Sequence, residues 1–184
     1  MFEVEKKYRL PRAQRDALQH KLTECYGPPR VLREEDVHGF TSPEKHYLRL
    51  RASGDSLKLI AKGPTQLSAD GIRSRREIEV PLSPQVLDAA RSLVQLIATD
   101  ALPAMRRTRS VWKLGEDAEV VLDDLDALPE EPFVELEILA SDQAAALSRL
   151  RTWEERLGLD PTWQEVKSYA QILSELISPP PETG

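Results

Sequence analysis

The chain has 184 residues, 25 of them Lys or Arg and 31 Asp or Glu, a formal net charge of −6. That length fits one domain, expected over 1–177 with a disordered proline-rich tail at 178–184, and the acidic balance argues against nonspecific nucleic-acid binding, which needs surplus cations against phosphates. The lone Cys25 excludes an internal disulfide framework and a CxxC metal site, and neither an apolar leader nor a run of roughly 20 apolar residues is present, so a cytoplasmic protein without membrane attachment is expected.

Period-two alternation opens the chain. In residues 2–10, Glu3, Glu5, Lys7 and Arg9 alternate with Phe2, Val4, Lys6 and Tyr8, so one face of the predicted strand is wholly charged. Residues 11–26 turn helical, with Leu18 and Leu22 four apart after a proline start. A weaker strand at 36–40 precedes strands at 47–51 and 56–62, which are separated by the turn Ser53-Gly54-Asp55. Gly63-Pro64 breaks the chain before a strand at 72–80. Residues 83–97 predict a helix with Ser83 as N-cap, Pro84 in the first turn and an apolar stripe of Val86, Leu87, Ala90, Leu93, Val94 and Ile97. Strands follow at 105–113, 118–125 and 132–139, then helices at 141–157 and 164–177. The order predicts an α+β fold: an eight-stranded antiparallel sheet closed into a barrel, with helices packed outside. Closure leaves no strand edge that demands a partner, so monomer and homodimer are both compatible.

The polar faces of these strands mix signs densely: Glu3, Glu5, Lys7 and Arg9; Arg49 and Arg51; Lys58 and Lys62; Arg75, Glu77 and Glu79; Arg107 and Arg109; Asp123; Glu135 and Glu137. On one strand such alternation most often marks a solvated face with cross-strand ion pairs. Its recurrence on seven strands favours an inward, charged cavity. Guanidinium and ammonium groups from several strands suit a polyphosphate. The Glu-x-Glu pairs 3/5, 77/79 and 135/137 suit a hard cation such as Mg²⁺ or Mn²⁺, which carboxylates hold together with substrate phosphates. His20, His38 and His46 lack metal-ligand spacing and are expected at the surface or partly packed, and Trp112, Trp153 and Trp163 are expected in the core or at a tunnel mouth.

Glu3-Val4-Glu5-Lys6-Lys7 resembles the E-x-E-x-K signature of the CYTH, or triphosphate tunnel metalloenzyme, superfamily, which includes class IV adenylyl cyclases and thiamine triphosphatases. Its ordered company strengthens the likeness: Leu48-Arg49-Leu50-Arg51, Ala61-Lys62-Gly63-Pro64, Arg75-Arg76-Glu77-Ile78-Glu79, Arg107-Thr108-Arg109, Asp123-Asp124, Glu135-Leu136-Glu137 and Lys167-Ser168-Tyr169. The resemblance implies an eight-stranded tunnel in which Lys7, Arg49, Arg51, Lys58, Lys62, Arg75, Arg107 and Arg109, with Lys167 from the last helix, bind a triphosphate. It implies that Glu3, Glu5, Glu77, Glu79, Asp123, Glu135 and Glu137 bind one or two divalent cations, with Glu3, Glu5, Glu135 and Glu137 at the catalytic centre. Where many members carry an aromatic, this chain reads Asp36-Val37-His38-Gly39-Phe40, with a glycine inserted beside the histidine.

Two chemistries share such a scaffold: hydrolysis of tripolyphosphate, thiamine triphosphate or a nucleoside triphosphate, and cyclisation of ATP to cyclic AMP and pyrophosphate. Hydrolysis asks only for a held triphosphate and a water, whereas cyclisation also needs ribose and base in a near-attack pose, so hydrolysis is placed first. A noncatalytic polyphosphate-binding module stands third, because a pure anion binder gains nothing from inward carboxylates.

Overall fold

The computed structural model describes residues 2–41, 46–64, 66–67, 73–140 and 142–177. The side chains of Glu3 and Arg75 lie outside the described residues, as do Ser141 and the tail at 178–184; of Ser141 and Asp142, the two cap candidates for the helix predicted at 141–157, Asp142 accepts from the Ala144 amide at 3.0 Å. In chain order the elements are β1 (Phe2–Arg9), α1 (Arg12–Tyr26), β2 (Arg30–Phe40), β3 (Tyr47–Ser53), β4 (Ser56–Lys62), β5 (Gln66–Leu67), β6 (Arg73–Arg75), β7 (Glu77–Leu82), α2 (Leu87–Ile97), β8 (Asp100–Ala101), β9 (Met105–Lys113), β10 (Ala118–Leu125), β11 (Phe133–Ala140), α3 (Gln143–Leu157) and α4 (Tyr169–Ile177).

The main path of the sheet runs β5-β6-β1-β11-β10-β9-β2-β3-β4-β7, and its ladders are antiparallel. Only Arg76 separates β6 from β7, yet β6 pairs with β1 and β7 with β4. One bent strand therefore joins the two ends of the path, and the Gly63 amide donates to the Arg76 carbonyl at 2.9 Å across the bend. With the two-residue β5 and β8 set aside and β6–β7 taken as one strand, the ring has the expected eight strands.

Sheet polarity is inverted relative to an ordinary barrel: charges point inward and the main core lies outside. Val4, Tyr8, Trp112, Val120, Leu122, Val134, Leu136 and Ile138, on the outer face of β1, β11, β10 and β9, pack under Leu18 and Leu22 of α1 and Ala146 and Leu150 of α3. The i, i+4 spacing of Leu18 and Leu22 gives α1 its narrow buried stripe. A second cluster sits under α2, where Ala90 and Val94 meet Leu50 and Leu57. The expected stripe on this helix is only half buried, since Val86, Leu93 and Ile97 are exposed. Its first turn is a separate 3₁₀ segment, Pro84–Val86, and Ser83 makes no side-chain cap bond.

Three expectations change. Strand β2 begins at Arg30, six residues before the 36–40 segment suggested by the sequence. Inversion explains the miss, because Val31 is 60% exposed while Glu34 is buried, so the usual apolar-in pattern is absent. The last helix starts at Tyr169, not at residue 164. Gln164 instead bridges Tyr8 and the Glu165 amide donates to the Lys7 carbonyl at 2.8 Å, holding this stretch extended against β1. Ser168 and Gln171 then form a reciprocal cap: the Ser168 amide donates to Gln171 Oε1 at 2.8 Å and the Gln171 amide to Ser168 Oγ at 3.2 Å. Cys25 is exposed, and His38, expected at the surface or partly packed, is fully buried.

The inserted Gly39 also has a reason. A Cβ there would lie 2.6 Å from Ala98 Cβ and 2.7 Å from the Asp100 carbonyl oxygen, where the chain leaving α2 crosses β2. Backbone cannot yield as a flexible side-chain end can, so Gly39→Ala is expected to destabilise by about 1–3 kcal/mol. A thermal melt checks this; an unchanged midpoint would mean that the crossing is looser than described.

Candidate functional site

A cavity of about 480 Å³ runs into the barrel. Eleven of the sequence-expected residues line it: Glu5, Lys7, Arg49, Arg51, Lys62, Glu77, Glu79, Arg107, Arg109, Glu135 and Glu137. They converge because β1, β3, β4, β7, β9 and β11 each present alternate positions to the same interior. Register sets the neighbours: Glu5 is directly opposite Glu137, Lys7 opposite Glu135, and Lys62 opposite both Tyr47 and Glu77. Glu3 pairs at backbone level with Arg75 on β6.

Charges alternate across the interior. Arg51 grips Asp36 with two bonds of 2.8 Å and lies 3.3 Å from Glu34. Arg107 bonds Glu34 at 2.8 Å and Asp123 at 3.2 Å. Arg109 bonds Asp123 at 2.9 and 2.8 Å, and also Glu135, whose other oxygen is 3.4 Å from Lys7. Glu137 lies 3.6 Å from Arg109, and Lys62 is paired with Glu77. This ladder crosses β3, β2, β9, β10, β11 and β1. Each member has several partners, which offsets the large cost of removing charges from water.

The ladder also fixes protonation. Burial alone would raise Asp36, but the charge of Arg49 and the Arg51 bonds hold its carboxyl well below the usual range. Burial likewise opposes ionisation of Glu34 and Glu135, and is outweighed by Arg107 and Arg51 at Glu34 and by Lys7 and Arg109 at Glu135. Burial dominates at His38 and lowers it, partly offset by the Pro103 carbonyl and Asp36. All four folded values lie below the unfolded ones, so their stabilisation is present at neutral pH and lost on acidification. The expected melting temperature falls gently below about pH 6.5 as His38 comes into play, then steeply below about pH 4 as the carboxylates protonate. Calorimetry between pH 7 and pH 3 tests this; a flat profile to the acid end would contradict the ladder.

Some expected residues are placed elsewhere. Lys58 is half-exposed and bonds Glu79, itself a lining residue, at 2.6 Å. It shares parity with Lys62 but is not among the residues that line the cavity. Asp123 is fully buried behind the wall, accepting from Arg107, Arg109 and the Tyr169 hydroxyl, with the last at 2.9 Å. Lys167 precedes α4 and its ammonium bonds Glu175 outside, while only its backbone carbonyl receives Lys7 Nζ, at 3.3 Å. Arg9 reaches the rim, where it bonds Glu131 and Glu165.

Others were not singled out from the sequence. Glu34 and Asp36 share the inward parity of β2; the late predicted start of that strand hid Glu34, while Asp36 opened the predicted strand without being assigned to the interior. Tyr169 was expected only as a helix residue. It enters the barrel with Ile172 and Leu173 against Met105, Leu125 and Phe133, and its ring centroid is 3.6 Å from Lys7 Nζ. Helix α4 thus plugs one side of the interior. His38 Nε2 is 2.7 Å from the Pro103 carbonyl, which only accepts, so that nitrogen carries the proton and Nδ1 accepts from the Tyr47 hydroxyl.

No helix among the described residues is long and apolar enough to cross a membrane. Three solved structures share the fold. The PH1819 protein of Pyrococcus horikoshii is 21% identical, with 95% of this chain and 99% of that one covered at a TM-score of 0.75. A candidate adenylate cyclase from Vibrio parahaemolyticus is 24% identical, with 95% and 98% covered at 0.71. A candidate adenylyl cyclase from Hippeastrum, described as having a dominant triphosphatase activity, is 18% identical, with 94% and 95% covered at 0.65. No curated protein sequence matches the chain. The CYTH domain model matches residues 1–169, which take in every strand of the barrel and the first residue of α4, and the chain therefore belongs to the CYTH domain family.

Proposed function

We propose that the protein is a divalent-metal-dependent enzyme that hydrolyses a triphosphate-containing small molecule in the charged tunnel. The observation that carries this reading is one cavity lined by Lys7, Arg49, Arg51, Lys62, Arg107 and Arg109, in which Arg49 Nε is buried with no hydrogen-bond partner among the described residues. An arriving polyphosphate would give that nitrogen an acceptor. It would also replace inward carboxylates as the partner of cations on β1, β3 and β4, and guanidinium forks match its paired oxygens.

The acids supply the donor chemistry of a hard cation, although among the described residues no three of them are already gathered to hold one. Glu5 and Glu137 are directly opposed, Glu135 lies two positions from Glu137 on the same face of β11, and all their donors are oxygens, the chemistry of Mg²⁺ and Mn²⁺ sites. Glu5, Glu135 and Glu137, with Glu3 two positions before Glu5 on β1, would hold it, and when bound it would polarise a phosphoryl oxygen and make a coordinated water more acidic. The chain's own groups bind and orient. Arg49, Arg51 and Lys62 grip the far phosphates, while Lys7, Arg107 and Arg109 stabilise the charge that spreads over the equatorial oxygens during in-line displacement. Asp123 positions Arg107 and Arg109 from behind, and α4 limits access of bulk water from its side.

Cyclisation of ATP is the second reading, favoured by the likeness to the Vibrio protein; the activity described for the Hippeastrum protein favours hydrolysis. Phosphorus NMR separates them, with tripolyphosphate, thiamine triphosphate and ATP offered in separate tubes, first with Mg²⁺ and then with Mn²⁺. Orthophosphate is the expected product. Pyrophosphate with cyclic AMP would establish the cyclase, and binding without turnover in either metal would overturn both enzymatic readings in favour of a polyphosphate-binding module.

A further inference from the structure

Asp123 has no exposed surface, and its carboxylate orients two of the cations that face inward. Its Oδ1 accepts from Arg109 Nε at 2.9 Å. Its Oδ2 accepts from Arg109 Nη2 at 2.8 Å, from Arg107 Nη1 at 3.2 Å and from the Tyr169 hydroxyl at 2.9 Å. A carboxylate offers about four acceptor sites, so these bonds saturate it. Among the described residues, Tyr169 is the one hydrogen-bond partner of Asp123 that is not a guanidinium. A group that orients two arginines is not oriented by those same arginines alone; its side chain needs a fixed point of another origin.

Tyr169 has the surroundings of such a fixed point. It opens α4, whose start is locked by the reciprocal bonds between Ser168 and Gln171 and whose Ile172 and Leu173 are wedged against Met105, Leu125 and Phe133. The Tyr169 ring meets Phe133 edge to face at 5.2 Å, which sets the direction of the hydroxyl. Its face also receives Lys7, whose Nζ lies 3.6 Å from the ring centroid and 3.3 Å from the Lys167 carbonyl. Arg107 Cζ is 5.4 Å from the same centroid. Three cations from two strands, β1 and β9, therefore rest on one short stretch, 167–169, at the entry to α4.

We propose that Tyr169 is a positioning residue for Lys7, Arg107 and Arg109, acting on the arginines by its hydroxyl through Asp123 and on Lys7 by its ring. This rests on the triphosphate reading of the cage and deepens it. Lys7, Arg107 and Arg109 are the cations that meet the charge spreading over the equatorial oxygens, whereas Arg49, Arg51 and Lys62 grip the far phosphates. Preorganised donors act through their placement, so a small displacement lowers turnover while the grip on the phosphate chain persists. The seating of α4 is thereby coupled to kcat and not to binding.

Tyr169→Phe tests this, because it removes the hydroxyl and keeps the ring, its packing on Phe133 and the seat of Lys7, so the barrel should persist. Two readouts are taken. Side-chain NMR of the free protein follows solvent exchange of the Arg109 Nε–H, and steady-state kinetics with Mg²⁺ and tripolyphosphate, thiamine triphosphate or ATP follow kcat and KM per folded molecule, well below the melting midpoint. The expected result is faster exchange at Arg109 Nε–H and a fall in kcat of about tenfold, with KM within about twofold of the wild type. A hydroxyl with only a structural role would lower the melting midpoint and leave kcat of the folded protein unchanged. An unchanged Arg109 signal, an unchanged kcat or a loss confined to KM overturns the positioning role and leaves the cage standing. Failure of every probe to turn over in the wild type overturns the triphosphatase reading, and the Arg109 signal then decides the positioning by itself.

Discussion

Glu135→Gln is expected to lower turnover by at least about 100-fold while tripolyphosphate binds as tightly as before or more tightly. The split follows from the position of Glu135. It is buried between Lys7 and Arg109, on a strand whose Glu137 faces Glu5 across the ladder. Glutamine keeps the volume and an acceptor for Arg109, so the barrel should persist. Loss of one negative charge leaves Lys7 and Arg109 freer to attract phosphate, but weakens the carboxylate set expected to hold the cation. Steady-state kinetics with Mg²⁺ and calorimetry with tripolyphosphate check the two halves. Loss of binding together with turnover would make Glu135 a structural member of the ladder only, and unchanged turnover would remove it from the site.

Arg107→Met is expected to cost about 3–5 kcal/mol of stability, the usual penalty for breaking a buried ion pair by removing one partner. Arg107 is 2% exposed and bridges Glu34 and Asp123, which are 5% and 0% exposed. Methionine fills much of the space but leaves two buried carboxylates short of a cation. Arg51 still reaches Glu34 and Arg109 still holds Asp123, so the barrel should weaken and not collapse. At about 2–4 °C per kcal/mol for a chain of this size, the melting temperature should fall by roughly 10 °C. Adding Glu34→Gln should recover part of the loss, because one stranded charge is then neutral. A melt within about 1 °C of the wild type would mean that the ladder contributes little.

The barrel was legible because β1, β3, β4, β9, β10 and β11 alternate cleanly, and period two needs no tertiary knowledge. Sign patterning carried the interior as well: Glu5, Lys7, Arg49, Arg51, Arg107, Arg109, Glu135 and Glu137 were expected to face one another, and they line one cavity. The hidden parts have physical causes. Strand β2 starts with charges that face inward and a valine that faces out, so a rule trained on apolar cores skips Arg30–Glu35. With that start lost, Glu34 lost its place on the inward face. Lys58 shows the opposite failure, since alternation gives the face of a strand and says nothing of where along it the cavity ends. Tyr169 reads as a core aromatic from its helical spacing, and only the packing of α4 into the barrel brings its hydroxyl to Asp123. The role of Gly39 is equally nonlocal, because the chain that crowds it leaves α2, far along the sequence.

If the inward acids and bases form one site, carboxylates of β1 and β11 hold a cation beside a phosphate chain. An anomalous difference map from crystals grown with Mn²⁺ and tripolyphosphate tests it most directly. A manganese peak is expected among Glu5, Glu135 and Glu137, with phosphate density against Arg49, Arg51 and Lys62. Manganese found only outside the barrel, or phosphate bound only at the rim near Arg9, would contradict it.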